Sequence, residues 1–198
     1  LMDAELDGVI CSGPRQGKQF TYALLEERVP PAAAKSREEA LTELARRYFS
    51  SRGPATLPDF AWWGGITLSD AKKGLEQCRQ ELAHEEINGQ AYWFLPGAAL
   101  LPASSPAVYL LPAYDEYAIG YKDRNDILSS KHTRQAGNGI FKPIIVSGGQ
   151  IAGTWQRTLK KEAVEVELNA FDPLSATVQR RLKDAVKQYG KFLGKKVG

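Results

Sequence analysis

Three helix starts of one type lie between residues 36 and 70, and a hairpin signal follows them. In each, a Ser or Thr precedes an acidic residue by three positions, which lets the hydroxyl cap the helix while the acid binds the cap amide. The pairs are Ser36 with Glu39, Thr56 with Asp59 and Thr67 with Asp70. The dipeptide Asn88-Gly89 favours a two-residue hairpin turn, because both residues tolerate positive φ.

Apolar residues recur at helical spacing after these starts. The first helix has Leu41, Leu44, Ala45 and Tyr48 on one face, and the third has Leu68, Ala71, Leu75, Cys78 and Leu82. Between them, TLPDFAWW predicts a short second helix that ends at Gly64-Gly65. Three capped helices before a hairpin are the order of a winged helix-turn-helix, predicted here over residues 36–96 with the third helix as the recognition helix.

The first residues repeat the end of the same plan. LMDAELDG is typical of a helix end closed by Gly8, and VICSG and QFTYALL predict a hairpin. We therefore interpret residues 1–30 as the end of a truncated winged helix in a C-terminal fragment. PPAAAK at 30–35 then predicts a linker.

The pattern changes to strands over residues 106–198. VYLLPAYDEYAIGY is rich in aromatic and aliphatic residues, IFKPIIV and QIAGTWQR flank Gly148-Gly149, and AVEVEL alternates with period two. A final helix capped by Ser175 is expected to pack apolar residues inward, namely Val178, Leu182, Ala185, Tyr189 and Phe192. The predicted fold class is α+β, with tandem winged helix-turn-helix units followed by a small antiparallel β-barrel with a C-terminal helix.

Charge divides unevenly along the chain. Residues 1–100 hold 11 Lys and Arg against 14 Asp and Glu, whereas residues 101–198 hold 15 against 9, so a polyanion should interact more strongly with the second half. Cys11 and Cys78 are the two cysteines, which argues against a disulfide-stapled secreted fold, and we expect both to be small buried hydrophobes. They and His84 and His132 lack the spacing of zinc ligands, so neither a metal nor a cofactor is predicted.

No apolar run approaches the roughly 18 residues that span a bilayer. We therefore predict a cytoplasmic protein with no membrane contact. No heptad pattern indicates a dimerisation helix, so a monomer is expected.

Three separated blocks resemble one bacterial family. ARRYFSSRGPATLPDFAWWGGITLSDAKKGLE, LLPAYDEYAIGYKDR and NGIFKPIIVSGGQIAGTW are similar to winged-helix DNA-binding proteins related to the AlkZ/YcaQ DNA glycosylases. The resemblance implies tandem winged helices and a β-barrel around duplex DNA, and removal of bulky alkylated bases or unhooking of interstrand crosslinks. The Gln-x-Gln signature that it implies for catalysis does not occur in this chain, so no catalytic residue is predicted within it.

Candidate DNA contacts fall on three elements. The predicted recognition helix carries Ser69, Lys72, Lys73, Gln77 and Gln80, and the hairpin carries His84, Asn88 and Gln90. The last helix carries Arg180, Lys183, Lys187 and Lys191 opposite its apolar face. Each set has a plainer interpretation as a solvated surface, because Glu76 and Glu81 lie among the first and cations often only solubilise a helix.

Adjacent acids at Asp115 and Glu116 admit two roles. A paired-carboxylate mechanism needs both on one pocket, but neighbours in a strand point to opposite faces. A structural acid that binds Arg124 or a Tyr hydroxyl is the alternative. Trp62, Trp63 and Trp155 are expected to be core anchors rather than stacking platforms.

Three functions remain open from the residues. The main hypothesis is a protein that binds duplex DNA mainly through phosphates. The alternative is part of an AlkZ-like repair glycosylase acting on alkylated or crosslinked bases, with its catalytic motif outside this chain. A weaker alternative is a transcriptional regulator, which predicts a symmetric dimer.

Overall fold

The structure, a computed structural model, describes residues 1–31, 33–97 and 107–198. Its contacts divide the chain into two compact units, Leu1–Glu39 and Ala40–Gly198. The predicted domain limits at 30, 36 and 96 stay predictions, and the limit at 106 lies outside the described residues. Within the described ranges, no helix is both long and apolar enough to cross a membrane.

The first unit contains short elements only. Helix α1 (Met2–Leu6) is followed by Gly8 at φ 69°, as predicted for the closing glycine. Strands β1 (Ile10–Ser12) and β2 (Tyr22–Leu24) pair antiparallel, which confirms the hairpin. Helix α2 (Leu25–Arg28) was not predicted from the sequence.

The three predicted helices are present, with their caps. They are α3 (Arg37–Arg52), α4 (Leu57–Gly64) and α5 (Leu68–Cys78), the last continued by a 3₁₀ turn at Arg79–Glu81. Thr56 and Asp59 form a complete capping box, as do Ser36 and Glu39. The hydroxyl of Thr67 accepts a bond from the Asp70 amide at 3.1 Å.

A hairpin follows the helices. Strands β3 (Ala83–Ile87) and β4 (Gln90–Phe94) pair antiparallel, with Ile87 opposite Gln90. Asn88 and Gly89 have φ values of 54° and 76°, so the turn is of the type that the dipeptide predicts. The element order is therefore confirmed, whereas the winged-helix arrangement and its tandem repetition stay predictions.

Aromatic side chains fill the core between these helices. Tyr48, Phe49 and Phe60 are fully buried, and their ring centroids lie 5.2–5.4 Å apart. Helix α5 contributes Ala71, Leu75 and Cys78. Leu68 was expected in this stripe but is 55% exposed, because it is the first residue of α5 and lies at the end of the packed face.

The third predicted region is an open, curled sheet in the form of a half-barrel. Its strands run in the order β5 (Val108–Leu111), β6 (Ile144–Ser147), β7 (Gln150–Leu159), β8 (Ala163–Ala170) and β9 (Lys196–Val197). All neighbours are antiparallel except β8 and β9, which are parallel. The predicted small antiparallel β-barrel is thus confirmed only in part, because β5 and the two-residue β9 are edge strands of an open sheet among the described residues.

A long segment between β5 and β6 contains helix α6 (Glu116–Ile119), and Ala118 and Leu128 from this segment pack on the sheet residue Ile144. Helix α7 (Ala176–Phe192) packs on the sheet. Ser175 caps it as predicted, and Leu182 packs with Ile145 and Trp155. Phe192 was expected to pack inward but is 83% exposed, since it is the last residue of the helix.

Candidate nucleic-acid interface

The five polar side chains predicted on the recognition helix are exposed in the structure. Ser69, Lys72, Lys73 and Gln77 lie on α5, and Gln80 lies in the 3₁₀ turn after it. Acids accompany them: Glu76 lies 3.9 Å from Arg79, and Glu81 binds Arg46 of α3 at 2.7 Å. Arg46 is also the first cause of the lowered pKa of Glu81. The positive and negative charges on this face therefore nearly cancel.

The hairpin residues do not share one surface. The His84 ring stacks on Trp93 with centroids 4.6 Å apart, and the Arg79 guanidinium also lies over Trp93, at 5.4 Å. Asn88 lies in the turn. Gln90 lines a cavity beside Tyr92. The three residues stay predicted DNA contacts, at separate positions on the hairpin.

The cations of the last helix form one exposed face. Arg180, Lys183, Lys187 and Lys191 are all exposed, as the helical period predicts. Asp184 is the one acid on α7, and it lies 3.9 Å from Lys187. The helix also carries Arg181, so five cations stand against one carboxylate.

The adjacent acids start a helix rather than occupying a strand. Asp115 is the N-cap of α6, and its carboxylate accepts a bond from the Tyr117 amide at 2.9 Å. Glu116 Oε1 accepts bonds from Arg52 Nε at 2.6 Å and from Trp63 Nε1 at 2.8 Å. The expected partners Arg124 and a Tyr hydroxyl were wrong for these acids, because α6 turns Glu116 toward the ends of α3 and α4.

Asp59 is the acid that sequence reasoning assigned only to a helix cap. It is 4% exposed, and Oδ2 accepts bonds from the amide and hydroxyl of Thr56. Its other oxygen accepts from the amides of Lys122 at 2.8 Å and Asp123 at 3.3 Å. Asp59 therefore fixes the segment after α6 onto the start of α4. The TLPD motif signalled the cap, but no local pattern signalled the second pair of bonds.

The tryptophans behave differently from one another. Trp155 is buried, and Trp63 packs against the helical core with the Arg52 guanidinium 4.6 Å above its ring. Trp62 is 50% exposed, so its prediction as a core anchor was wrong. Its indole Nε1 donates to Ile119 O at 3.0 Å, which holds one edge of the ring against α6, and the Arg124 guanidinium lies 5.6 Å from the ring centroid.

A cavity of about 210 Å³ lies between the hairpin and the segment after β5. Its walls include three carboxylates, from Asp59, Asp123 and Asp126. Burial first, and then these carboxylates, raise the pKa of Tyr92 in the same wall. Such a cavity repels phosphate, so it is not part of a phosphate-contacting surface.

Metal-ligating side chains do not cluster among the described residues. Within that part of the chain, no group of three or more His, Cys, Asp or Glu side chains could hold a metal ion. Cys78 is buried, as expected, and burial raises the pKa of its thiol. Cys11, which was also expected to be buried, is only half-buried in the three-residue strand β1.

Comparison with known proteins identifies the class that these elements define. The family described as DNA glycosylase AlkZ-like matches residues 1–192. The chain belongs to this family of AlkZ-like DNA glycosylases.

A sequence comparison and a structure comparison support this assignment. A curated interstrand DNA cross-link repair glycosylase of Streptomyces sahachiroi is 26% identical over 160 residues, which are 75% of this chain and 43% of that protein. The solved structure of Streptomyces sahachiroi DNA glycosylase AlkZ superposes with a TM-score of 0.74 at 20% identity, over 96% of this chain and 54% of that one. The structural likeness establishes the fold, and the chain spans about half the length of these relatives. The matches favour the glycosylase alternative over the main hypothesis of a DNA-binding protein alone.

Proposed function

We propose that this chain is a DNA-binding portion of an AlkZ-like repair glycosylase that acts on alkylated or crosslinked bases. The observation that carries the proposal is the family match over residues 1–192. The name of the Streptomyces sahachiroi relative, an interstrand DNA cross-link repair glycosylase, supports the substrate class.

The role proposed for the chain is to hold duplex DNA through phosphates. The exposed cations of α7 support it, because Lys and Arg side chains that neutralise phosphates release counterions and bind without regard to sequence. In the same proposal α3, α4, α5 and the β3–β4 hairpin form a winged helix, with Lys73 and Gln77 of α5 near the groove. The proposal also takes the short first unit as the end of a second winged helix.

Base excision is proposed to depend on residues outside this chain. Breaking a glycosidic bond requires groups that activate water beside an oxocarbenium-like sugar. Of the two adjacent acids, Asp115 caps α6 and Glu116 is bound to Arg52 and Trp63. The resemblance implies a Gln-x-Gln motif for this step, and none occurs between residues 1 and 198.

The test compares two proteins on one substrate. The product of the complete reading frame and the 198-residue chain are each incubated with duplex DNA that carries an alkylated purine, and released base is measured by chromatography. We expect release by the complete protein only, and binding of the duplex by both.

Three results would contradict the proposal. Release of base by the chain alone would place the chemistry within these residues. Binding without release by the complete protein, on both alkylated and crosslinked DNA, would favour a non-catalytic DNA-binding protein. A symmetric dimer that binds one duplex sequence selectively would instead favour the transcriptional regulator.

A further inference from the structure

A second, larger cavity lies on the side of Trp62 that is open to solvent. Its volume of about 400 Å³ is within the range of roughly 300–1,000 Å³ typical of ligand clefts. Trp62 and Phe141 present their rings to it, 50% and 59% exposed. The remaining wall is formed by Arg124, Asn125, Leu128, Thr133, Asn138 and Ile140.

The two rings are positioned by different contacts. The Trp62 indole is fixed by its bond to Ile119 O. The Phe141 amide donates to Gly137 O at 3.0 Å, and its ring meets the edge of Tyr114 at a centroid distance of 5.8 Å. In the loop before Phe141, Asn138 adopts φ 57°. A Cβ at the next residue, Gly139, would lie 3.1 Å from Ile151 Cδ1. The loop is therefore shaped closely against the sheet, and large aromatic surfaces stay exposed on it.

The guanidinium of Arg124 is incompletely bonded at the wall of this cavity. Its Nε donates to Ala118 O at 2.8 Å and its Nη1 to Lys122 O at 3.2 Å. Nη2 is buried and has no hydrogen-bond partner among the described residues. The guanidinium also lies over the Trp62 ring, with Cζ 5.6 Å from the ring centroid, so the cation is fixed beside the aromatic wall of the cavity.

The charge of the cavity distinguishes it from the acidic one beside Tyr92. No carboxylate is among the described residues that line it, whereas Arg124 contributes a permanent cation. Burial lowers the pKa of Arg124, but a guanidinium stays charged at neutral pH. Exposed rings beside a cation are the combination that binds unpaired nucleotides, the rings stacking on bases and the cation binding an oxygen.

From this cavity we infer a site for one unpaired nucleotide of DNA, with its base stacked on the exposed surfaces of Trp62 and Phe141 beside the positive charge of Arg124. The inference rests on the proposed DNA binding, and it adds a preference for duplexes that contain an unpaired base. The phosphate surface on α7 would bind paired and interrupted duplexes alike, whereas this cavity recognises only the second kind.

The experiment measures the affinity of the chain for two duplexes of equal length by fluorescence anisotropy. One is fully paired, and the other has a single unpaired thymine at its centre. We expect the second to bind about fivefold or more tightly, since stacking of one base contributes at least that factor. Replacing the thymine with 5-iodouracil should give a photo-crosslink to the peptide that carries Trp62 or Phe141.

Variants connect the preference to the cavity. Phe141→Ala should abolish the preference for the duplex with the unpaired thymine and leave the affinity for the paired duplex unchanged. Phe141→Tyr, which keeps an aromatic ring, should retain the preference. Tyr109 is a matched control, 56% exposed on β5, and Tyr109→Ala should keep the full preference.

Each contrary outcome has one meaning. Equal binding of the two duplexes by the wild-type chain, or an unchanged preference in Phe141→Ala, overturns the nucleotide site and leaves the proposed DNA binding standing. Failure to bind either duplex at low salt overturns both proposals.

Discussion

Helices α5 and α7 are built alike and differ in the charge that they expose. Each begins at a hydroxyl cap, buries an apolar stripe and includes one buried glycine, Gly74 or Gly190. From Leu68 to Glu81 three cations and three carboxylates cancel, whereas α7 has five cations and one carboxylate. The comparison teaches that the buried face of a helix determines how it packs. The charge of the exposed face can therefore differ between two helices that pack alike, and it is available for a partner.

The largest effect is expected from the cationic face of α7. Changing Arg180, Lys183, Lys187 and Lys191 together to Ala should weaken binding to all duplex sequences alike. The plot of log K against log salt should become less steep, by about 0.9 in the magnitude of its slope for each phosphate that the variant no longer neutralises. Anisotropy titrations at several salt concentrations measure it.

A control for this variant removes the same charge elsewhere. Lys122, Lys131, Lys160 and Lys161 are exposed and lie outside α7, and their joint change to Ala should alter the slope less. If the α7 variant binds like the wild type while α5 variants fail, the basic face is only solvated.

The buried glycines provide a second contrast, in stability. A Cβ at Gly74 would lie 2.6 Å from the backbone oxygen of Leu41, so Gly74→Ala must move α5 away from α3. We expect the free energy of unfolding to fall by about 1–3 kcal/mol, because the strain of the close contact outweighs the roughly 1 kcal/mol by which alanine stabilises a helix relative to glycine. Urea denaturation measures the free energy of unfolding of this variant and of its counterpart on α7.

Gly190→Ala should cost much less. Its Cβ would meet Val197 Cγ2 at 2.5 Å and the Lys195 backbone oxygen at 3.1 Å, but both belong to the short segment that contains the two-residue strand β9, where Val197 is 39% exposed and the segment can shift. Its free energy of unfolding should stay within about 1 kcal/mol of the wild type. Equal losses in the two variants would show that α5 is not held more tightly than α7.

The caps are expected to differ by a smaller amount. Thr67→Ala and Ser175→Ala each remove a helix N-cap, which typically contributes about 1 kcal/mol. The Thr67 bond is 3.1 Å long and the Ser175 bond 3.4 Å, so the first change should cost more. Ser69→Ala, an exposed change in the first turn of α5, serves as the control, and a larger loss for Ser175→Ala would contradict the order.

The smallest effect is expected from the balanced face of α5. Changing Lys73 and Gln77 to Ala should lower the salt slope by no more than about 0.9, the contribution of one neutralised phosphate. The sequence preference of the bound DNA should not change. A relaxed preference, measured by competition with duplexes of different sequence, would show that α5 reads bases.

Local patterns predicted much of the fold, because its signals lie within a few residues of each other. Thr56 and Asp59 are three apart, and Asn88 and Gly89 are adjacent, so caps and turns could be located. Helix α6 was missed because four residues cannot show a helical period, and its aromatic surroundings favoured a strand.

The candidate site was predictable where it is periodic and unpredictable where it is tertiary. The exposure of Lys183 and Lys187 follows from helical spacing alone. The bond from Arg52 to Glu116 joins residues 64 positions apart, and no local pattern indicates it. The same holds for Trp62, whose exposure depends on how α6 packs against α4.

The central claim, that this chain holds duplex DNA through its phosphates, is tested most directly by the salt dependence of wild-type binding. The account predicts binding at about 50 mM salt and a linear fall of log K against log salt, with about 0.9 of slope for each of the α7 cations that contacts a phosphate. Absence of binding at that salt concentration, or an affinity that is the same at about 50 and about 200 mM, would contradict it.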